Sequence, residues 1–424
     1  MIKHQTLALN KRLIQLKASP TLAINELSAK LIDQGKKVIR FGFGQSPFPV
    51  PDQVVEALQK HSGRKEYLPV QGLQKLRTAV SDYYKVNAQL TFHPDRIHVG
   101  PGSKELIYQL LLAIDATLLL PRPSWVSYAP QAILSNTPYQ WIDTFRENDW
   151  KVTAQDIESL VLAQPDQNFV ILLNYPNNPV GHIYSQEEII QISEVCRSHQ
   201  IIVIADEIYH EIYFKQSIPS FSTYLPERTI ITTGLSKWCG AGGWRLGLAL
   251  LPESLKPLSD LLLKIASETY TCASTPIQYA AVYAYQTHSE EIEQYKRTTR
   301  AILKFLGDYS VERLRKIGLK VARPGGGFYV YPDFSDILRS KFNKSADLCN
   351  ALLEEAGVAL LPGVAFGQLE NTLTARLSFV DFDGAHALAH FDHRKEMDSG
   401  WLEKYAPNVR DGLDRIERWI NQIR

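Results

Sequence analysis

The sequence predicts an α/β protein whose core is a largely parallel β-sheet. Short, continuously apolar runs recur through the middle of the chain, amphipathic segments separate several of them, and hydrophobic residues make up 45% of the 424 residues. Continuous apolar strands that alternate with helices are typical of a sheet that is buried on both faces. The predicted strands are residues 96–99, 117–120, 139–142, 169–173, 201–205, 229–233 and 246–250.

Helices are predicted between several of these strands, at residues 103–113, 153–163 and 185–199, because apolar residues recur there at helical spacing. In sheets of this kind, ligands bind beyond the carboxyl ends of the strands. The residues that directly follow each strand are therefore the candidates for function.

A change of pattern after about residue 287 predicts a second, smaller α+β domain. A long charged helix at residues 289–316 leads to the glycine-rich turn 324–327, and short strands and helices follow. We therefore expect three parts. Residues 1–48 form an N-terminal segment that packs with the small domain, residues 49–288 form the large domain, and residues 289–424 form the small C-terminal domain, with an insert near 382–408.

The composition excludes several classes of protein. Lys and Arg total 46 and Asp and Glu total 45, so no overall field attracts nucleic acid or an anionic membrane. The longest apolar run, residues 110–120, is interrupted by Asp115 and is shorter than the ~20 residues that a membrane span needs. Residues 1–17 contain no apolar stretch of the kind found in signal peptides, so we interpret them as mature sequence.

The four cysteines lie far apart in the chain and show no Cys-x-x-Cys spacing: Cys196, Cys239, Cys272 and Cys349. This pattern favours neither a disulfide framework nor a zinc site, and it indicates a reducing, cytoplasmic environment.

Two predicted strands are followed by segments rich in small or amide residues. The segment from Gly100 to Lys104 opens a helix, where free backbone N–H groups can bind an anion, although an ordinary turn into a helix is more common. Asn177 and Asn178 follow the strand that ends at residue 173, and they could orient a ligand hydroxyl or belong to an ordinary loop.

Two further strands are followed by charged residues. Asp206 could cap a helix, or it could pair with a buried cation such as a protonated ring nitrogen. Lys237 follows the strand at 229–233, and Arg245 comes eight residues later. A lysine near another cation can act as a nucleophile or base, and an arginine can bind phosphate, but a lone lysine is more often a solvated surface residue.

Taken together, these motifs resemble the class I aminotransferases, the aspartate aminotransferase family of pyridoxal-phosphate enzymes, from about residue 20 to residue 384. The matching motifs, in order, are Gly102-Ser103-Lys104, Asn178-Pro179-Val180-Gly181, Asp206-Glu207-Ile208-Tyr209, Ser236-Lys237 with Arg245, and Arg376-Leu377-Ser378-Phe379. The resemblance implies the fold type I architecture, with a mostly parallel seven-stranded sheet covered by helices in the large, cofactor-binding domain.

The resemblance also implies roles toward pyridoxal 5'-phosphate. Lys237 would hold the cofactor through a Schiff base, Asp206 would keep its ring nitrogen protonated, and Tyr209 and Asn178 would bind its phenolic oxygen. Trp125 would stack on the cofactor ring. The phosphate would be held by Arg245, Ser236 and the backbone of Gly102, Ser103 and Lys104.

The substrate site follows from the same resemblance. Arg376 would bind the substrate α-carboxylate, with Asn178 and Trp125 nearby, and Gly44 would let the backbone approach that carboxylate. Tyr67 matches a tyrosine that reaches the phosphate of the neighbouring subunit, so the implied active unit is a homodimer with shared sites.

The implied reaction moves the amino group of an L-amino acid to a 2-oxo acid by a ping-pong mechanism, with Lys237 as general base. The resemblance allows aspartate or glutamate as the donor, whereas Tyr270 and the loop 41–48 favour an aromatic or apolar donor. The implied acceptor is 2-oxoglutarate. A C–S β-lyase or cyclising synthase of the same fold would keep the same cofactor residues. A non-catalytic sensor is a remote alternative, because Lys237 is present.

Two features depart from the family pattern. Gly234 stands where some members have a phosphate-binding serine, so phosphate binding would depend more on Arg245 and the helix start. The insert near 382–408 contains His386, His390 and His393 at spacings that place them on one face of a helix. We expect a solvated or interface helix there rather than a metal site.

Overall fold

The computed structural model describes residues 9–16, 20–215 and 217–424. Part of the segment that we interpret as mature sequence, residues 1–8 and 17, lies outside the described residues. The described chain contains a seven-stranded and a three-stranded sheet. None of its helices is both long enough and apolar enough to cross a membrane.

The large sheet has the strand order β1-β7-β6-β5-β4-β2-β3. Its strands are β1 Ile97–Gly100, β2 Thr117–Arg122, β3 Tyr139–Asp143, β4 Phe169–Asn174, β5 Ile202–Asp206, β6 Thr229–Gly234 and β7 Gly247–Leu250. Strands β3, β2, β4, β5 and β6 run parallel, and β7 is antiparallel to both of its neighbours. Every predicted strand is present, and its ends lie within two residues of the prediction.

Sixteen α-helices lie in the described part of the chain. They are α1 Pro20–Asp33, α2 Asp52–His61, α3 Gln74–Asn87, α4 Ser103–Ala113, α5 Tyr128–Ser135, α6 Ala154–Leu162, α7 Gln186–Ser198, α8 Phe221–Tyr224, α9 Lys256–Thr269, α10 Thr275–Ala284, α11 Glu290–Lys316, α12 Ser335–Leu338, α13 Ser345–Ala356, α14 Gly384–Ala389, α15 Ser399–Tyr405 and α16 Pro407–Ile423. Capping boxes begin α6 at Thr153 and α7 at Ser185, because each cap residue is followed three positions later by an acidic partner.

Both faces of the large sheet are buried. In β4, Val170 and Leu172 pack in one hydrophobic cluster with residues of α4, whereas Ile171 and Leu173 pack in a second cluster with residues of α7. Successive side chains of a strand point to opposite faces, so a continuously apolar strand requires cover on both sides. This arrangement leaves the carboxyl ends of the parallel strands as the accessible edge.

The small sheet has the order β8-β10-β9, with β8 Tyr329–Val330, β9 Leu361–Pro362 and β10 Ala375–Ser378. Both pairings with β10 are antiparallel. The N-terminal segment contacts this part of the chain, since the N–H of Ile39 donates to the carbonyl oxygen of Gly357 and the N–H of Ala359 donates to that of Ile39. The domain boundaries given above remain predictions.

The histidine arrangement predicted for the insert is wrong. Helix α14 ends at Ala389, so His390 lies at its C-cap and His393 lies beyond it; the three side chains therefore do not share one helical face. The rings of His386 and His390 pack against Tyr405, and His393 lies 3.2 Å from the Thr298 hydroxyl of α11. Among the described residues, no group of three His, Cys, Asp or Glu side chains could hold a metal ion.

The insert lies against the loop 41–48. The rings of Phe48 and Phe382 are 5.8 Å apart in an edge-to-face arrangement, and the Cα of Gly384 lies so close to Pro47 that a Cβ there would be 2.2 Å from its carbonyl oxygen. The insert therefore supports one wall of the site described next.

Candidate active site

A cavity of about 600 Å³ opens at the carboxyl ends of the parallel strands. The predicted site residues that line it are Gly44, Ser103, Lys104, Trp125, Asn178, Asp206, Tyr209, Ser236, Lys237 and Arg245. Arg376 and Gly102 lie directly behind this lining, since Arg376 contacts Asn178 and Gly102 contacts Arg245. Tyr67 is not among the described residues that line the cavity, and 85% of its surface is exposed.

Lys237 projects into the cavity from the turn after β6. Its Nζ donates a hydrogen bond of 2.6 Å to the carbonyl oxygen of Gly44, and it lies 5.5 Å from the ring centroid of Tyr209. Burial, together with the positive charge of Arg376, lowers the pKa of Lys237 to about 8. A lysine in this state is partly neutral near physiological pH and can act as a nucleophile or a base.

Asp206, the last residue of β5, is a buried carboxylate with neutral partners. The Tyr128 hydroxyl donates to Oδ2 at 2.6 Å, and the Thr232 hydroxyl and the N–H of Ile208 both donate to Oδ1 at 3.3 Å. Burial raises the pKa of Asp206 to about 6, against the opposite effect of these donors. Such a carboxylate is stabilised when a cationic group binds beside it.

Arg376 in β10 is a buried guanidinium with neutral partners. Its Nη1 donates to Oδ1 of Asn178 at 3.0 Å, its Nη2 donates to the carbonyl oxygen of Gly42 at 2.6 Å, and its Nε has no hydrogen-bond partner within the described chain. Only 4% of its surface is exposed, and burial lowers its pKa. An anion such as a carboxylate would satisfy the charge and the free donor.

The first helix of the site is built for close approach to an anion. Gly102 precedes α4 with a φ of 95°, and a Cβ there would lie 2.2 Å from Nη2 of Arg245. A Cβ at Gly247 would lie 2.1 Å from the backbone nitrogen of Ser103. Both positions therefore require glycine if Arg245 and the free N–H groups that begin α4 are to face one ligand.

Gly234 is also required because no space is available for a side chain at its position. A Cβ at this position would lie 2.4 Å from the carbonyl oxygen of Leu246, which follows Arg245 in the chain. The glycine therefore permits close pairing of β6 and β7, and the donors at this end are Arg245, Ser236 and the start of α4.

Trp125 and Lys104 lie next to each other in the lining of the cavity. Nζ of Lys104 lies 4.8 Å from the ring centroid of Trp125, and the Trp125 ring packs edge-to-face on Tyr128 at 5.2 Å. Desolvation, with the charge of Arg245, lowers the pKa of Lys104. The lining therefore contains a second lysine, Lys104, in addition to Lys237 and Arg245.

Three residues that support the predicted site residues were not singled out from the sequence. Tyr128 supports Asp206, Asn174 links two strand ends through its side chain, and Tyr329 is hydrogen-bonded to Tyr209. Tyr128 begins α5 and Trp125 precedes that helix, so no helical spacing in the sequence marked Tyr128. Asn174 is the polar residue that ends β4, but no sequence signal marks Tyr329.

These residues fit the pyridoxal phosphate that the resemblance implies. The buried Asp206 carboxylate, which has neutral partners, suits a protonated ring nitrogen, and the Lys237 amine suits an aldehyde carbon. Arg245 and the N-terminus of α4 suit a phosphate, since glycines keep the space beside them open.

Comparisons with known proteins agree with this geometry. The model of the family "Aminotransferase class I and II" matches residues 36–383. The aspartate aminotransferase of Bacillus subtilis is 31% identical over 382 residues, which cover 88% of this chain and 94% of the relative. The asparagine–oxo-acid transaminase of Streptococcus mutans is 32% identical over 384 residues, with the same coverage of both chains.

A solved structure is similar over nearly the whole chain. The aspartate aminotransferase of Thermus thermophilus with maleate superposes with a TM-score of 0.84 at 26% identity, covering 97% of this chain and 100% of that one.

Proposed function

This chain belongs to the class I and II aminotransferases, and we propose that it takes its amino group from an L-amino acid with a second carboxylate, such as aspartate, and passes it to 2-oxoglutarate. The predicted fold type I class, the transaminase activity and the pyridoxal phosphate cofactor are confirmed by the family and its aspartate aminotransferase relatives. The donor, the acceptor and the roles of individual residues are the content of the proposal.

Different residues of the chain would bind different parts of the cofactor. Pyridoxal phosphate, when bound, supplies an aldehyde for amines and a protonated ring that accepts negative charge from the substrate. Asp206 would pair with the ring nitrogen, Tyr209 and Asn178 would hold the phenolic oxygen, and Trp125 would stack on the ring. Arg245, Ser236 and the backbone N–H groups of Gly102, Ser103 and Lys104 would hold the phosphate.

Arg376 and Lys237 act on the substrate. Arg376 would bind the α-carboxylate through N–H groups that lie in the plane of its guanidinium, and the Gly44 backbone would leave room beside that carboxylate. Nζ of Lys237 would take the proton from the substrate Cα as general base and hold it for its return in the second proton transfer. The lowered pKa of Lys237, about 8, suits both directions of this proton transfer near neutral pH.

The choice of donor rests on Lys104, a cationic residue of the cavity that could bind a second carboxylate. Nζ of Lys104 lies over the Trp125 ring, and in the described chain it has no carboxylate partner within ion-pair distance. A donor with one carboxylate would use Arg376 alone, whereas a dicarboxylic donor would use Arg376 and Lys104 together. Relatives that are aspartate aminotransferases, and a structural neighbour solved with maleate, support this choice.

The test compares donors in the half-reaction with no 2-oxo acid present. Aspartate or glutamate should convert the bound cofactor with a kcat/KM at least tenfold above that of phenylalanine or leucine. Lys104→Met should lower kcat/KM for the dicarboxylic donors by about 10- to 100-fold, as expected for one charge-assisted bond, and leave apolar donors nearly unchanged. Equal losses for both donor classes would contradict the assignment of Lys104.

We further propose a homodimer with shared sites, because Tyr67 is 85% exposed and lies outside its own cavity's lining. Subunits that carry Lys237→Ala should restore activity to subunits that carry Tyr67→Ala, since a mixed dimer has one complete site. Random mixing predicts up to about a quarter of wild-type activity. No gain on mixing, with dimers verified by mass, would contradict the shared site.

A cytoplasmic location is also part of the proposal. The four cysteines are free thiols, three of them buried, as is usual for proteins of reducing compartments.

A further inference from the structure

Tyr329 lies directly behind the cavity and touches residues on both of its functional sides. Its hydroxyl is 2.8 Å from the hydroxyl of Tyr209, and the guanidinium carbon of Arg376 lies 4.6 Å from the centroid of its ring. Tyr329 is 1% exposed and is not among the described residues that line the cavity. It can therefore influence the site only through its neighbours.

The small sheet holds Tyr329 beside Arg376. Tyr329 in β8 pairs with Ser378 in β10, and Arg376 comes two residues before Ser378, on the same face of that strand. Diagonal neighbours on one face of an antiparallel pair are within reach of aromatic and long side chains. The contact between the ring and the guanidinium therefore follows from the register of the two strands.

The glycine-rich turn before β8 fixes Tyr329 against Tyr209. The N–H of Gly327 donates to the carbonyl oxygen of Ile212 at 2.7 Å, and the N–H of Phe214 donates to that of Gly325 at 3.0 Å. These bonds tie the turn to the segment that follows Tyr209. The hydroxyl pair is thus held by two backbone contacts outside the cavity.

The hydroxyl of Tyr329 also occupies space that a larger residue 44 would need. A Cβ at Gly44 would lie 2.4 Å from the Tyr329 hydroxyl oxygen, and the carbonyl oxygen of Gly44 is the acceptor of the Lys237 hydrogen bond. Tyr329 therefore lies between the residue proposed to hold the cofactor's phenolic oxygen and the loop that holds the catalytic amine.

We propose that Tyr329 is a positioning residue of the transamination, whose hydroxyl fixes the direction of the Tyr209 hydroxyl and whose ring supports the Arg376 guanidinium. The inference rests on the proposed function, because it requires Tyr209 to face the cofactor and Arg376 to face the substrate. A donor whose direction is fixed before the reaction loses less free energy in ordering than a freely rotating one. The charged groups that face the two phenols are Arg376, Asp206 and Lys237.

The first test removes the hydroxyl and keeps the ring. In Tyr329→Phe, we expect the pH midpoint of the bound cofactor's absorption change, measured without amino acid, to rise by about 0.5–1 pH unit, the effect of one weakened neutral hydrogen bond. The midpoint should rise because the Tyr209 hydroxyl, without Tyr329 as its partner, would be a weaker hydrogen-bond donor to the cofactor's phenolic oxygen. The proton that is lost at the midpoint would then be held more tightly. A midpoint equal to that of the wild type would overturn the role of the hydroxyl.

Tyr331→Phe is the matched control. Tyr331 lies two residues along, is also buried, and its hydroxyl accepts a hydrogen bond of 2.7 Å from Thr374 instead of contacting Tyr209. We expect its midpoint to equal that of the wild type. A shift as large as that of Tyr329→Phe would assign the effect to general loosening of the small sheet and overturn the inference.

A double-mutant comparison tests whether Tyr329 acts through Tyr209. In a Tyr209→Phe background, Tyr329→Phe should produce no further shift of the midpoint. A second shift of full size would overturn the proposed route.

The ring has its own test. Tyr329→Leu removes the contact with Arg376 and should raise the KM of the amino donor several-fold above that of Tyr329→Phe. Equal KM values for the two variants would overturn the role of the ring.

The proposed function fails in a different way. A wild type that prefers an aromatic donor would contradict the dicarboxylate assignment and leave the difference between the wild type and Tyr329→Phe in place. An unchanged midpoint in Tyr329→Phe, with aspartate as the best donor, would overturn the inference alone.

Discussion

Nζ of Lys237 donates a hydrogen bond of 2.6 Å to the carbonyl oxygen of Gly44, a residue 193 positions earlier in the chain. The acceptor is a neutral carbonyl, so it does not offset the loss of solvation as a carboxylate would. The pKa of the amine therefore falls to about 8, chiefly through burial. The N-terminal loop thus holds the amine of a lysine that follows a strand of the large sheet.

Lys237 should be the most reactive lysine of the cofactor-free protein. With a pKa of about 8, about a quarter of it is neutral at pH 7.5, against about a thousandth of an ordinary lysine. A neutral amine-reactive reagent, used briefly and followed by peptide mapping, should label Lys237 first, with a rate that rises to a plateau above pH 8. Loading with pyridoxal phosphate is the control and should protect it. Uniform labelling of all lysines would contradict the prediction.

Asp206 should give the cofactor-free protein a characteristic pH dependence. The pKa of Asp206 is about 6 in the folded protein and close to 4 in the unfolded chain. Its favourable contribution to the free energy of unfolding is therefore complete below about pH 4 and is lost as the pH rises through 6. The free energy of unfolding of the wild type should fall by up to about 3 kcal/mol relative to Asp206→Asn over that interval.

Urea titrations at pH 4.5 and 6.5 should measure about 2 kcal/mol of this difference, because part of it has already developed at pH 4.5. The exposed Asp166→Asn is the control and should leave the pH dependence of the wild type unchanged. Parallel curves for the wild type and Asp206→Asn would show that the carboxylate is better solvated than its burial indicates.

Gly44→Ala should lower both stability and activity. The new methyl group would meet the Tyr329 hydroxyl at 2.4 Å, and overpacking of this kind destabilises a protein by about 1–3 kcal/mol. Gly63→Ala is the matched control, since no atom lies within 4 Å of a Cβ at that position. The measurements are thermal unfolding and kcat/KM.

A second substitution sharpens this prediction. Tyr329→Phe in the Gly44→Ala protein removes the clashing oxygen and leaves the ring carbon at 3.4 Å, so it should recover much of the lost stability. Losses that simply add would show that the loop is disturbed in some other way.

Lys296 of α11, which contacts the residue that follows Lys237, should stabilise the protein. Its Nζ lies 3.2 Å from Oε2 of Glu211 and 4.9 Å from the ring centroid of Trp238, and the side chain is 2% exposed. Lys296→Met should lower the free energy of unfolding by about 3 kcal/mol, because it leaves a carboxylate without its cation. Adding Glu211→Gln should recover part of the loss.

The control for Lys296 is the exposed pair Lys256–Asp260. Lys256→Met should change the free energy of unfolding by less than about 1 kcal/mol, as is usual for surface ion pairs. Similar losses in the two variants, measured by urea unfolding, would contradict the role given to the buried cation.

The ends of β4 and β5 could be predicted from the sequence because a polar residue ends each of these two apolar runs. The structure extends β4 and β5 by one residue, to Asn174 and Asp206, since these residues still pair with each other in the backbone ladder. Their side chains nevertheless face the cavity, so the chemistry was found at the predicted edge of the sheet. Lys237, Arg245 and Lys104 were found in the same way.

Other features could not be predicted by local pattern. The spacing of His386, His390 and His393 places them on one face only if a single helix spans all three residues. Helix α14 ends at Ala389, before the second of them. Strand β8 has two residues, too few to show a period, and the bond between Tyr209 and Tyr329 joins positions 120 residues apart. Contacts of this kind depend on how two sheets meet.

The separation of these partners along the chain also orders the assembly of the site. The cofactor-facing residues from Ser103 to Arg245 belong to one sheet and its connections, whereas Arg376 closes its bonds to Asn178 and Gly42 across 198 and 334 residues. The entropy lost when two residues meet grows with their separation along the chain, so contacts between distant residues form more slowly. We therefore expect the pocket for the cofactor's phosphate to form before the contacts of Arg376 during folding.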